Sequence, residues 1–178
     1  MLPSMFEPVT YYAIQYPNGL YHVRTSPWVV RQEKTDKREY ATITTERHIM
    51  IDHLYSIHQH ERPLPHAIPQ VLQWRVVPQA KEQIRSGISS QSAEIIHSYA
   101  VGKITKTKRV PDTLFYLSPG KLWDQGKYVW KPLPYAYWLS KDEADEWVSY
   151  LEATTVDKKE NNYFVIPLRI EKEVLVVH

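Results

Sequence analysis

The sequence predicts an α+β fold made of two pseudo-repeated ββαβ half-units with antiparallel-dominated sheets, joined by a helical insert. Three observations carry this expectation. Thr10–Tyr21 (TYYAIQYPNGLY) and Thr113–Trp123 (TLFYLSPGKLW) share a layout: a short β-type run, a Pro/Gly turn, then another aromatic. A helical stretch lies downstream of each, Thr45–His58 and Lys141–Glu152. After each helix comes a β run, Val71–Val77 and Val165–Ile170, with Arg75 and Arg169 at matching places. The copies lie about 100 residues apart, too far for a solenoid repeat and suited to a duplicated half-domain. The expected organisation is an N-terminal half-unit over residues 1–77, a helical and basic insert over 78–110, and a C-terminal half-unit over 111–178.

In the first half-unit, Tyr12, Ile14 and Tyr16 recur at period two, the mark of a strand with one buried face. Pro17-Asn18-Gly19 supplies turn chemistry, since Asn-Gly accepts positive φ, and Leu20–Thr25 returns as the second strand. Trp28-Val29-Val30 is expected to extend it, and Gln32–Glu39 to be a mixed-charge loop. Thr44 or Thr45 is placed to cap the first helix, in which Met50, Ile51, Leu54 and Ile57 form an apolar stripe. Glu61–Pro69, with Pro63, Pro65 and Pro69, is expected to be a non-helical connector. In the insert, Gln79–Ser86 reads as a short helix stopped at Gly87. Ser89 or Ser90 then caps a second helix running to about Ala100, with Gly102 after it. In the last half-unit, Ser140-Lys141-Asp142-Glu143 is a capping box, followed by the apolar stripe Ala144, Trp147, Val148 and Leu151. Tyr163–Ile170 and Val174–Val177 read as strands, the former near a sheet edge because Pro167 lacks a ladder donor.

Composition bounds the function. The chain has 178 residues, 43% hydrophobic and 24% charged, the balance of an ordinary folded domain rather than of disorder. There is no cysteine, which excludes disulfides, Cys-ligated zinc, iron–sulfur clusters and thiol catalysis. The start, MLPSMFEPV, lacks the pattern of a secretory signal, and no run approaches the length of a membrane span. A cytoplasmic protein is the expectation. Net charge is only +2, but it is unevenly spread. Lys81, Arg85, Lys103, Lys106, Lys108 and Arg109 stand against only Glu82 and Glu94 in the insert. Lys141 alone stands against Asp142, Glu143, Asp145, Glu146 and Glu152 in the last helix.

Catalytic signatures are missing. His48, His53, His58, His60 and His66 crowd one region, but no pair has the four-residue spacing of a helical zinc motif, so no metal is expected. Asp112 and Glu171-Lys172-Glu173 lack the arrangement of a magnesium-dependent nuclease, and Gly120-Lys121 and Gly126-Lys127 are turn dipeptides rather than phosphate loops. No Gly-x-Ser-x-Gly elbow occurs. Asp142–Glu146 reads as a solvated helix face. A non-enzyme without cofactor is the expectation.

Two binding surfaces remain. Thirteen Tyr and six Trp against three Phe favour rings that combine contact area with a polar handle. In Leu122–Trp138 (LWDQGKYVWKPLPYAYW), Pro132 and Pro134 break regular pairing. Trp123, Tyr128, Trp130, Tyr135 and Tyr137 are therefore candidates for a protein contact, the alternative being that they cover the core. The second surface is basic. Glu82–Ile96 (EQIRSGISSQSAEII) resembles the helix-turn-helix pattern, although Glu82 and Ser86 stand where it packs apolar residues. The resemblance implies base contacts from residues such as Gln91, and phosphate contacts from Lys81, Arg85, Lys103, Lys106, Lys108 and Arg109.

In size, lack of cysteine and abundance of tyrosine the chain is similar to accessory proteins of bacteriophages and other mobile elements, anti-CRISPR proteins among them. That likeness implies an inhibitor that binds a host defence or nucleic-acid-processing protein. A DNA-mimic mechanism is disfavoured by the pI of about 8.6. The leading expectation is a non-catalytic protein-binding module, and the alternative is DNA or RNA binding through residues 81–109.

Overall fold

Pro17-Asn18-Gly19 makes the turn its chemistry requires. Gly19 takes a φ of 89°, its N–H donates to the Tyr16 carbonyl, and the Asn18 side chain accepts from the Leu20 N–H. The turn joins β1 (Val9–Gln15) to β2 (Tyr21–Val23), paired antiparallel with Gln15 opposite Tyr21. The computed structural model describes residues 7–24, 33–79, 94–105, 113–120, 127–155 and 161–176. Within them lie six further strands: β3 (Glu33–Thr35), β4 (Gln70–Pro78), β5 (Glu94–Thr105), β6 (Thr113–Pro119), β7 (Tyr128–Lys131) and β8 (Asn161–Val174). Two helices complete the fold, α1 (Arg47–Glu61) and α2 (Lys141–Thr154). The strand order is β3-β2-β1-β4-β8-β5-β6-β7, a mixed helix–sheet architecture. Every pairing with a defined register is antiparallel. The chain divides into two compact units.

The unit formed by Thr10–Arg75, Ser92–Glu94 and Glu171–His178 is organised around α1. Met50, Leu54 and Ile57 pack against Ile14, Tyr16 and Val71, so the period-two face of β1 meets the helical stripe as expected. The other face of β1 is buried too: Tyr11 and Ala13 are inaccessible, and the Tyr11 ring lies 5.3 Å from that of Trp74. The Arg38 guanidinium donates to the Tyr11 hydroxyl over 3.1 Å. Near the start of β4, Leu175 donates to the Val71 carbonyl, and at its middle Arg75 meets Glu171 at 3.5 Å.

Four expectations in this unit are corrected. Gln32–Glu39 is not all loop, because Glu33–Thr35 pairs with Tyr21–Val23; β3 ends the strand order, where charged residues are normal and no apolar alternation announces a strand. Neither Thr44 nor Thr45 caps α1. Thr44 is held by reciprocal backbone bonds to Tyr12, its hydroxyl accepts from the Glu46 N–H, and Glu46 is the N-cap residue without a side-chain cap bond. The helix continues past His58 to Glu61, closing on Arg62 in the left-handed region. The connector behind it contains a 3-10 turn, Pro65–Ala67, since proline is tolerated at the first helical position. Trp28–Val30 lies outside the described residues.

The other unit comprises Met1–Val9, Val76–Gln91 and Ile95–Ile170. Here α2 starts as read: Ser140 Oγ accepts from the Glu143 N–H at 3.2 Å, and Glu143 Oε1 accepts from the Ser140 N–H at 3.3 Å. Ala144 and Leu151 are buried, and with Trp147 and Val148 they pack on Val101, Leu117, Tyr163 and Val165. The expected hairpin partner for Thr113–Pro119 is displaced: β6 pairs with Tyr128–Lys131, inside the aromatic stretch. A 3-10 turn, Leu133–Tyr135, follows, as Pro132 and Pro134 dictate.

The helical insert is overturned where it is described. Glu94–Ala100, expected to be helix, belongs to β5, and residues 80–93 lie outside the described residues. Ile95, Ile96, Tyr99, Val101, Ile104 and Thr105 are β-favouring types, and the place of β5 between β8 and β6 outweighs local helix capping. Gly102 does not stop a helix. It is a strand residue whose missing side chain leaves room for Ile166, Leu114 and Phe164. The two strands expected after α2 are one, β8, which is not at an edge but between β4 and β5. Pro167 is tolerated there because its carbonyl accepts from Gln79, just past the end of β4. In an antiparallel pair a residue's N–H and C=O point to the same neighbour, so the missing donor also faces the end of that ladder.

Among the described residues the chain order reads strand–strand–strand–helix–strand twice, β1 to β4 around α1 and β5 to β8 around α2. Local details recur with it. Tyr12 bridges Thr44 just before α1, and Tyr99 bridges Leu139 just before α2. Ala41 closes the 3-10 turn Arg38–Tyr40, and Ala136 closes Leu133–Tyr135.

A Cβ on Gly102 would lie 2.6 Å from Ile166 Cδ1 and 3.0 Å from Leu114 Cδ1. Gly102→Ala is therefore expected to lower the unfolding free energy by about 1–3 kcal/mol, the usual cost of overpacking, as measured by urea denaturation. An unchanged midpoint would show that these side chains relax freely.

Candidate functional site: an aromatic and acidic cleft

The capping box sets the rotational phase of α2, and phase decides which side chains face which way. With Ala144 and Leu151 turned to the core, Glu143, Glu146, Trp147 and Tyr150 share the adjoining face at helical spacing. They meet Tyr128 of β7 and enclose an open cavity of about 410 Å³. Trp147 stands edge-to-face with Tyr128, centroids 5.4 Å apart at 76°. Tyr150 meets Trp147 in the same way, at 5.9 Å and 83°. Neighbouring rings at near right angles give walls that face in different directions. The aromatic run continues through Trp130, 6.2 Å from Tyr128, to Tyr163, 5.7 Å from Trp130.

The electrostatics are one-signed. Lys141, the only basic residue of the helix, is bound to Asp145 at 2.9 Å. Glu143 gives one carboxylate oxygen to the capping box. Glu146 has no ion pair among the described residues. The Tyr128 hydroxyl is held above its ordinary pKa by burial and then by the neighbouring Tyr150 and Tyr163, so it stays neutral.

Of the five predicted contact residues, Trp123 lies outside the described residues. Tyr128, Trp130 and Tyr137 are half-buried against the α2 core, and only Tyr128 also lines the cavity. Tyr135 is 40% exposed, with Lys131 Nζ 5.2 Å from its ring centroid. Glu143, Glu146, Trp147 and Tyr150 were not among the predicted contact residues. The signal was their spacing: an acid–acid–aromatic–aromatic stripe that shares Trp147 with the apolar one.

The basic surface is not assembled in the described residues. Lys81, Arg85, Gln91, Lys106, Lys108 and Arg109 lie outside them. Lys103 is on β5, its Nζ 4.6 Å over the Trp130 ring, with a pKa lowered by burial. Glu94–Ile96, the end of the would-be recognition helix, is strand.

A second cluster lies in the α1 unit. His22 of β2 is buried, and its ring sits edge-to-face with His53 of α1 at 5.9 Å. Arg24, a pure donor, reaches His53 Nε2 at 3.0 Å, which leaves the ring proton of neutral His53 on Nδ1. Neither Nδ1 has a hydrogen-bond partner among the described residues. Burial, then His53 and the cations Arg24 and Lys34, lower the His22 pKa to about 4. Burial and Arg24 lower that of His53. No group of three or more metal-ligating side chains occurs among the described residues, and no described helix is long and apolar enough to cross a membrane. Comparison with protein-family models, curated proteins and solved structures finds no match.

The unfolded chain protonates His22 near its ordinary pKa of 6.5, whereas the folded chain resists until about 4. The stability linked to the neutral ring is thus fully present above pH 6.5 and is lost as pH falls toward 4. Urea unfolding across that window is expected to show a decline of up to about 3 kcal/mol from this group. His22→Gln should flatten the slope; an identical slope in the variant would assign the decline to other groups.

Proposed function

We propose that this chain is a non-catalytic protein-binding module and that the β7–α2 face is its contact surface. The observation that supports this reading most is the cleft itself. Tyr150 is 54% exposed on a helix whose core side is already filled by Ala144, Val148 and Leu151, so its ring is not needed to cover the core. An exposed Tyr beside Trp147 and Tyr128, rimmed by carboxylates, has the composition of a contact hot spot with a polar border.

The repeated βββαβ chain order supports a finer proposal about origin: an internal duplication in which β5, β6 and β7 correspond to β1, β2 and β3. That register replaces the ββαβ one of the sequence. The narrowest form of the functional proposal is a cytoplasmic inhibitor of a host defence or nucleic-acid-processing protein. Its support is the small, cysteine-free, tyrosine-rich composition.

The test is affinity capture from the native host with the intact chain and the exposed-site variants Tyr150→Ala and Tyr135→Ala. A stoichiometric protein partner is expected, with recovery lowered at least ~10-fold by Tyr150→Ala, as for truncation of a hot-spot residue. No partner, or one recovered equally by the Tyr150 variant, would remove this face as the contact surface.

A further inference from the structure

We infer that the β7–α2 cleft is a receptor for the guanidinium group of an arginine side chain presented by the partner, an assignment that rests on the binding role proposed above. The cleft offers what such a group requires and little that suits another. Its walls are the rings of Tyr128, Trp147 and Tyr150, residue types whose π-faces attract cations, and its rim is Glu143 and Glu146, one helical turn apart. An anion is repelled by both carboxylates. A purely apolar group would strip water from them without replacement hydrogen bonds. Between cations, a planar fork with five N–H donors stacks on the Trp147 ring while reaching carboxylate oxygens; an ammonium is a hydrated point charge, and a quaternary ammonium has no donor.

The chain itself shows the same chemistry elsewhere. In the α1 unit, Lys34 Nζ lies 4.1 Å from the Tyr16 ring centroid and 3.9 Å from Glu61 Oε2, while the Tyr16 hydroxyl donates to Glu61 over 3.3 Å. There the aromatic ring, the carboxylate and the cation are all internal. On the aromatic run beside the cleft, Lys103 occupies the Trp130 ring. At the Trp147 end the rings and carboxylates are present, and among the described residues Glu146 has no cation. Lys141 is not free to supply one, being held by Asp145.

The intact chain is titrated with Nα-acetyl-arginine amide, Nα-acetyl-lysine amide and tetramethylammonium chloride at constant ionic strength, following the Trp147 indole N–H resonance by NMR. Saturable binding of the arginine probe is expected, ~5-fold tighter than the lysine probe, with a dissociation constant of about 10–100 mM. Glu146→Gln and Tyr150→Leu, both at exposed positions and so compatible with folding, should each weaken it ~2- to 5-fold. Tetramethylammonium binding as tightly as arginine would overturn the assignment in favour of a quaternary-ammonium cage. Absence of saturation, or binding indifferent to both variants, would overturn it outright. If the titration fails while Tyr150-dependent capture of a partner succeeds, the arginine assignment falls and the contact surface stands. Arginine binding without any Tyr150-dependent partner has the opposite consequence.

Discussion

The reciprocal backbone bridge between Tyr99 and Leu139 delivers the chain to Ser140 in a fixed place, and the capping box there starts α2 in a fixed phase. A helix turns about 100° per residue, so a start one residue early or late would swing Glu146 and Trp147 away from Tyr128. The buried stripe Ala144 and Leu151 sets the same phase independently, by packing on Val101 and Leu117. Cap and core agree, and the cleft is the by-product of that agreement. Replacing a Ser cap costs about 1 kcal/mol in typical proteins, whereas emptying a buried Leu position costs about 2–5, so the core contact holds the phase and the cap trims it.

Magnitudes also say what the cleft can and cannot do alone. A cation over an aromatic ring at an exposed site gains about 0.5–1 kcal/mol, and a surface ion pair about 0–1. Two or three such terms sum to about 1–3 kcal/mol, a dissociation constant of about 10–100 mM and no tighter. An arginine seated here would therefore select among partners, while the bulk of any tight association would come from a wider surface around it. Tyr135, exposed at the end of its 3-10 turn, and the half-buried Tyr128 lie in the same unit as the cleft and are compatible with such a surface.

What could be read from the chain divides along physical lines. The second helix was legible because three signals coincide at Ser140–Leu151: the cap, the reciprocal Glu143 and the apolar spacing. The first hairpin was legible because Asn18-Gly19 permits the positive φ that the turn uses. β3 was not legible, since Glu33-Lys34-Thr35 is an edge strand whose partners are backbone groups rather than a core. β5 was not legible because Ser, Gly and Ala around Ile95 and Ile96 imitate caps and helix interiors, while the strands on either side of it, β8 and β6, come later in the chain. Pro167 was taken for an edge mark, a rule that holds for whole strands but not where the neighbouring strand has just ended. The cleft was half legible. Tyr128 was singled out for its aromatic company, but Glu143 and Glu146 were assigned to solvent because a single sequence does not tell which side of an acidic helix meets a ring from a strand.

The two units make the strongest contrast within the chain. In the α1 unit the acid at the helix end, Glu61, is closed off by Tyr16 and Lys34, so its charge is answered internally. In the other unit Asp142 and Glu143 sit in the first turn of the helix, where the backbone dipole favours negative charge, while Glu146 lies a turn further on with its side chain exposed to solvent. Solvent screens the Glu146 carboxylate in the folded chain, and the Tyr128 and Trp147 rings beside it are held by the core from behind. Stability does not require a cation at that position. An occupant from outside would be recognised without disturbing the packing that builds the site, the condition under which a small cleft can discriminate between side chains.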